Sequence, residues 1–126
     1  MEIFNVLGPG HKEKIYGNAF EELLKRETIP YEREKTLPLT MEGKIVGYYK
    51  PDFVPYGKII VEFKSILFIP QVFIKQLNQY LITSEYKLGF IVNFGANELE
   101  IIRRVYEKKL NPAAKSAKSA LNPRDP

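Results

Sequence analysis

Lys58-Ile59-Ile60-Val61-Glu62-Phe63-Lys64 is the most apolar strand-like run in the chain, yet it carries a carboxylate and an ammonium two positions apart. A strand has a side-chain period of two, so Glu62 and Lys64 project from one face while Ile59, Val61 and Phe63 project from the other. Its apolar character marks the run as the central strand of a sheet. Charges placed there are costly unless each has a partner. The residues around this run must therefore account for the pair.

Upstream, turn signals at Met41-Glu42-Gly43-Lys44 and Val54-Pro55-Tyr56-Gly57 divide the chain into strands over roughly 31–40, 44–53 and 58–65. These are expected to pair as an antiparallel meander. Asp52 ends the second strand, directly after Pro51. A two-residue turn would point Asp52 away from Glu62, whereas a three-residue loop puts both on one face. Pro55-Tyr56-Gly57 suits the longer loop, with Pro at the first turn position and Gly where a left-handed residue is needed. The expected register sets Asp52 opposite Ile60, one diagonal step from Glu62.

Further out, Leu7-Gly8-Pro9-Gly10 is punctuation. From His11 to about Glu27, Ile15, Tyr16, Ala19, Phe20, Leu23 and Leu24 follow helical spacing until Thr28-Ile29-Pro30. Ile69, Val72, Phe73, Leu77, Tyr80 and Leu81 predict a second helix over about 69–83. Strands are expected over 88–94 and 99–105. The order α, β, β, β, α, β, β places a helical crossover between strands three and four. That is an α/β fold with a mixed central sheet flanked by helices.

The 126 residues fit one domain, taken as 1–110, with 111–126 reading as a disordered basic tail of Ala, Ser, Lys, Asn and Pro. There is no cysteine and the one histidine is His11, which removes thiolate and His-rich metal sites and argues against a Cys-His or Ser-His catalytic pair. No apolar run is long enough for a membrane span, and the start lacks the pattern of a signal peptide, so a cytoplasmic location is expected. The net charge of +4 fits a polyanionic partner such as nucleic acid, and fits a soluble protein with a basic tail as well.

Chemistry must then rest on carboxylates, lysines, tyrosines or a hard cation. Asp52 and Glu62, with the backbone carbonyl of Phe63, form an oxygen-rich set suited to Mg²⁺ or Mn²⁺. Lys64 beside them could position or deprotonate a water or stabilise charge on phosphorus. The same residues also fit a solvated strand edge with a Glu62–Lys64 or Asp52–Lys64 ion pair. Tyr48, Tyr49, Lys50, Tyr56 and Lys58 fit either a surface that stacks on a nucleic-acid strand or ordinary strand residues.

Pro51-Asp52 followed by Glu62-Phe63-Lys64 is similar to the signature of the PD-(D/E)XK nuclease superfamily, whose restriction-endonuclease-like core runs αβββαβ. Gly10-His11-Lys12-Glu13-Lys14-Ile15-Tyr16 resembles the motif of its GxxExxY family. The resemblance continues through Leu7-Gly8-Pro9-Gly10, Pro51-Asp52-Phe53, Val61-Glu62-Phe63-Lys64, Gln76-Leu77-Asn78-Gln79-Tyr80 and Gly89-Phe90-Ile91-Val92-Asn93-Phe94. It implies a metal-dependent nuclease acting on nucleic acid, DNA before RNA, with Mg²⁺ or Mn²⁺ as cofactor. Asp52 and Glu62 would be metal ligands, Lys64 the catalytic lysine, and Glu13 the first-helix acid completing the metal shell. Gln76 and Tyr80 match the Gln-x-x-x-Tyr motif of RecB-like exonucleases, which helps orient the site and contact DNA.

Each assignment has a plainer counterpart. Glu13 would complement the helix dipole, Tyr16 and Tyr80 would be core aromatics with satisfied hydroxyls, and Gln76 would edge an apolar stripe. The family pattern carries a further helix before Leu7, where this sequence has Met1–Val6. Apolar surface left bare there would favour a homodimer. Competing functions are a non-catalytic nucleic-acid-binding module and a regulatory protein in which Asp52, Glu62 and Lys64 form a structural ion-pair network.

Overall fold

Gly8 and Gly10 both adopt positive φ, which glycine reaches without strain, and they separate two helices. The short α1 (Glu2–Leu7) buries Ile3 and packs Phe4 and Leu7 on the core. The longer α2 (Glu13–Arg26) has Glu13 in its first turn and Lys25 and Arg26 in its last, the order that the helix dipole favours. Arg26 donates two hydrogen bonds to Glu2, at 3.0 and 3.1 Å, tying the two helices together. This computed structural model describes residues 1–107. The expected tail over 111–126 lies outside the described residues.

The central run forms β5 (Ile59–Lys64), with β6 (Leu88–Asn93) parallel to it. The crossover between them contains α3 (Gln71–Thr83). β7 (Glu100–Val105) is antiparallel to β6, and β4 (Phe53–Pro55) is antiparallel to β5. β1 (Tyr31–Arg33) pairs with β4, giving a mixed sheet ordered β1-β4-β5-β6-β7 with β5 at its centre. The expected α/β class and the central place of the Glu62 strand both hold. No helix among the described residues is long and apolar enough to cross a membrane.

The expected meander does not form. The stretches 31–40 and 44–53 each break in two, and their inner parts, β2 (Leu37–Met41) and β3 (Lys44–Tyr49), make a separate hairpin outside the sheet. Glu34 takes a positive φ of 56° and its N–H donates to the Asp52 carbonyl at 3.0 Å, so the chain leaves and rejoins the sheet at one point. Pro38 and Pro51 lack the N–H that an interior strand needs, and an excursion accommodates both.

The register also needs correction. Phe53 pairs with Val61, and the three-residue loop is Tyr56-Gly57-Lys58, with Pro55 still in β4. Tyr56 and Gly57 carry the positive φ values, 57° and 64°. Continuing this register by one residue sets Asp52 level with Glu62 rather than with Ile60. A shift of two preserves parity, so the two carboxylates share a face as expected.

The sheet separates two cores. On one side α1 and α2 cover Phe53, Val61, Phe63, Val92 and Phe94; on the other, α3 and the hairpin root cover Ile60 and Ile91. Tyr16 is fully buried on the α2 side and stacks on Phe94 with ring centroids 4.0 Å apart. Its hydroxyl donates to the Gly8 carbonyl at 2.6 Å and accepts from the His11 N–H at 3.0 Å. It is the core aromatic with a satisfied hydroxyl. Tyr16→Phe keeps the stacking and strips both bonds, and is expected to cost about 1–2 kcal/mol in urea denaturation. A loss near zero would show that the hydroxyl does not hold the Gly8–His11 segment.

Candidate active site

Ile60, Glu62 and Lys64 alternate along the face of β5 that looks toward α3. Ile60 is fully buried, whereas Glu62 and Lys64 are half-buried further along the strand. The apolar floor is thus complete before the charges begin. Glu62 and Lys64 line a small cleft with Tyr49, Phe73, Gln76, Leu77, Tyr80 and Ile91. Its volume of about 30 Å³ is room for roughly one water.

Asp52 reaches this region from the approach to β4, anchored by the fully buried Pro51. Its Oδ2 accepts the Phe63 backbone N–H at 2.7 Å. The N–H and C=O of a strand residue leave on the same edge, so the Phe63 carbonyl also points to the Asp52 side. Glu62 accepts a hydrogen bond from the Tyr49 hydroxyl.

Burial is the main reason the Glu62 carboxyl is pushed up to about 7. The Tyr49 hydrogen bond opposes that effect, the neighbouring Asp52 carboxylate adds to it, and Lys64 draws it back. Tyr49 is displaced upward too, chiefly by burial and then by the Glu62 charge. Among the described residues no ion pair reaches Asp52 or Glu62. The ion pair with Lys64 that the sequence allowed is not formed. Lys64 Nζ lies instead 4.4 Å from the centroid of the Phe73 ring, a cation–π contact.

Gln76 and Tyr80, one turn apart on α3, both face this cleft. Tyr80 stacks on Tyr49 with centroids 3.5 Å apart and planes 12° from parallel. Tyr80 therefore bears on Glu62 through Tyr49. The Tyr48–Tyr49 pair divides: Tyr48 is 64% exposed and Tyr49 only 8%. Tyr49, expected in a stacking surface or as an ordinary strand residue, is a site residue whose bond to Glu62 the sequence did not indicate. Its signal was its place at a strand end, three residues before Asp52 in Tyr49-Lys50-Pro51-Asp52.

Glu13 is exposed in the first turn of α2, the helix on the opposite side of the sheet from α3. Among the described residues no three Asp, Glu, His or Cys side chains converge as a metal site. The structure brings Asp52 and Glu62 together without Glu13. Two carboxylates and one carbonyl remain, all oxygen donors, with an excess of negative charge. This set fits a hard divalent cation that keeps several of its waters.

A sequence profile of the PD-(D/E)XK nuclease superfamily matches residues 1–105. The chain belongs to that superfamily. PD-(D/E)XK proteins are generally nucleases that use divalent metal ions, and the mixed five-stranded sheet with flanking helices is their restriction-endonuclease-like fold. The crystal structure of SSO0001 is similar, with a TM-score of 0.54 and 22% identity, covering 79% of this chain and 52% of that one. The likeness is one of fold, and the present chain spans about half the length of that protein. No curated protein sequence matches the chain.

Proposed function

We propose that this PD-(D/E)XK protein is a Mg²⁺- or Mn²⁺-dependent nuclease that hydrolyses phosphodiester bonds, DNA being the favoured substrate, and that it falls in the GxxExxY branch. The observation that carries the reading is the meeting of Asp52 and Glu62, neither in an ion pair among the described residues, on the strand face that also presents Lys64.

Asp52, Glu62 and the Phe63 carbonyl would hold the metal, which supplies Lewis-acid stabilisation of phosphoryl oxygens and an activated water. The chain's own groups do the rest. The Phe63 N–H fixes Asp52, the Tyr49 hydroxyl fixes Glu62, and the stacked Tyr80 fixes Tyr49. Lys64, resting on Phe73, orients the attacking water and offsets charge on the phosphate. Gln76, exposed at the mouth of the cleft, contacts the nucleic-acid backbone. The proposal assigns Glu13 no ligand role and keeps it as the complement of the α2 dipole.

The test is incubation of the protein with labelled single- and double-stranded DNA in Mg²⁺, in Mn²⁺ and in chelator, with Lys64→Ala alongside. Metal-dependent cleavage is expected, with the rate falling at least about 100-fold in the variant. A folded protein that binds DNA equally with and without metal and cuts none would be a nucleic-acid-binding module instead.

A further inference from the structure

Leu67 is 82% exposed and Phe68 is 67% exposed, side by side in the segment that leaves β5 just after Lys64. Isolated apolar residues on a surface need no explanation, but this segment is fastened at its root. The fully buried Asn93 accepts the N–H groups of both Ile66 and Gly95 on its Oδ1, each at 3.0 Å, and donates to Glu100 at 2.7 Å. The Phe94 N–H donates to the Lys64 carbonyl at 2.8 Å, and the Ser65 hydroxyl donates to the His11 carbonyl. A β-carbon on Gly95 would stand 2.2 Å from the Ile66 nitrogen, so the two backbones meet as closely as glycine permits. Pro70 then caps α3. A root held this firmly presents the next two side chains in a fixed place before anything binds them, which lowers the cost of binding.

We propose that Leu67 and Phe68 form the base-stacking element of this nuclease site, packing on a nucleobase beside the phosphate that Lys64 addresses. The proposal rests on the nuclease reading and narrows its substrate to nucleic acid with an unpaired base at that point: a single strand, a frayed end or a flap. A nucleobase is favoured over a protein partner by position and charge. The pair lies three and four residues past Lys64, on the link between β5 and α3, the two elements whose Glu62, Lys64, Phe73 and Gln76 line the cleft. The same root abuts the His11 segment, which carries the exposed Lys12 and Lys14, positive charge of the sign that flanking phosphates need. Apolar side chains used in this way unstack bases or cap them, and a stacked base contributes enough that its loss is easily read.

The test uses the full chain and the double substitution Leu67→Ser, Phe68→Ser. Affinities for a fluorescent single-stranded oligonucleotide and for a blunt duplex are measured in chelator, beside Mn²⁺ titration, thermal melting and gel filtration. The variant is expected to lose about tenfold or more in single-strand affinity and to lose its preference over duplex. Mn²⁺ binding and the melting midpoint should not move. Equal oligonucleotide affinities in variant and wild type would overturn the proposal. So would a change only in elution, from dimer to monomer, which would make the pair a self-association surface. If the wild type cuts DNA and the variant cuts and binds equally well, stacking alone fails. If the wild type neither binds nor cuts DNA, the nuclease reading falls with it.

Discussion

Glu62→Gln is expected to stabilise the folded chain at pH 8 while abolishing its affinity for Mn²⁺. Both effects have one origin. Burial and the adjacent Asp52 raise the Glu62 carboxyl from its ordinary 4.5 to about 7. Between these values the folded chain keeps a proton that the unfolded chain has released, so stability falls as pH rises through the window and levels off above about 7. The displacement corresponds to roughly 3 kcal/mol. Glutamine removes the charge and keeps an oxygen to accept the Tyr49 hydroxyl. Urea denaturation should find the variant about 2–3 kcal/mol more stable at pH 8 and little different near pH 4.5. Saturating Mn²⁺ should stabilise the wild type, since it binds only the folded state, and leave the variant unmoved. Equal stabilities at both pH values would mean that Glu62 is not under this strain.

Gly95→Ala is the second large effect, and it acts on the frame of the site. The added carbon would meet the Ile66 nitrogen at 2.2 Å, the Ile66 oxygen at 2.4 Å and the Ser65 carbonyl carbon at 2.5 Å. All three are backbone atoms, so no side chain can swing aside. Relief requires moving either the β5 exit or the turn after β6, which gives up the Asn93 bonds that bind them. A cost of about 3 kcal/mol is expected, or a fall in Tm of roughly 12–20 °C. Gly89→Ala is the control: there the nearest atoms belong to the Leu77 side chain, at 2.7 Å and beyond, which can adjust. A Gly95 variant that melts no lower than the Gly89 variant would refute the contact.

Local patterns carried most of the fold, and partners distant in sequence escaped them. The period-two run at Ile59–Lys64 named its own strand, faces and central place, because alternation is a property of consecutive residues. Parity between Asp52 and Glu62 was legible for the same reason, since a three-residue loop fixes it whichever three residues form it. The choice between Pro55-Tyr56-Gly57 and Tyr56-Gly57-Lys58 was not legible, because Pro55 is compatible with either a turn or a strand end. The split of 31–40 and 44–53 was hidden too. It depends on Glu34 adopting a left-handed conformation that its residue type does not announce, and on a bond to Asp52 that lies far along the chain. Tyr49 was named only within an aromatic patch, because its role on Glu62 exists once the hairpin folds back over that residue. Glu13 was placed by motif alone, and among the described residues it joins no cluster of three metal-ligating side chains.

The hairpin of β2 and β3 begins and ends at one knot, where Glu34 N–H meets the Asp52 carbonyl at 3.0 Å. What lies between is an insertion whose length the sheet does not sense. Doubling it would add only about 0.6 kcal/mol of closure entropy. A different hairpin tip could be grafted beyond Leu37 and Tyr49, the paired root residues buried with Ile60 and Ile91, without touching a strand pairing of β1, β4 or β5. Tyr49 would stay with the root, and with it the hydroxyl on Glu62. The tip is thus open to exchange, whereas the root belongs at once to the core and to the carboxylate it tunes.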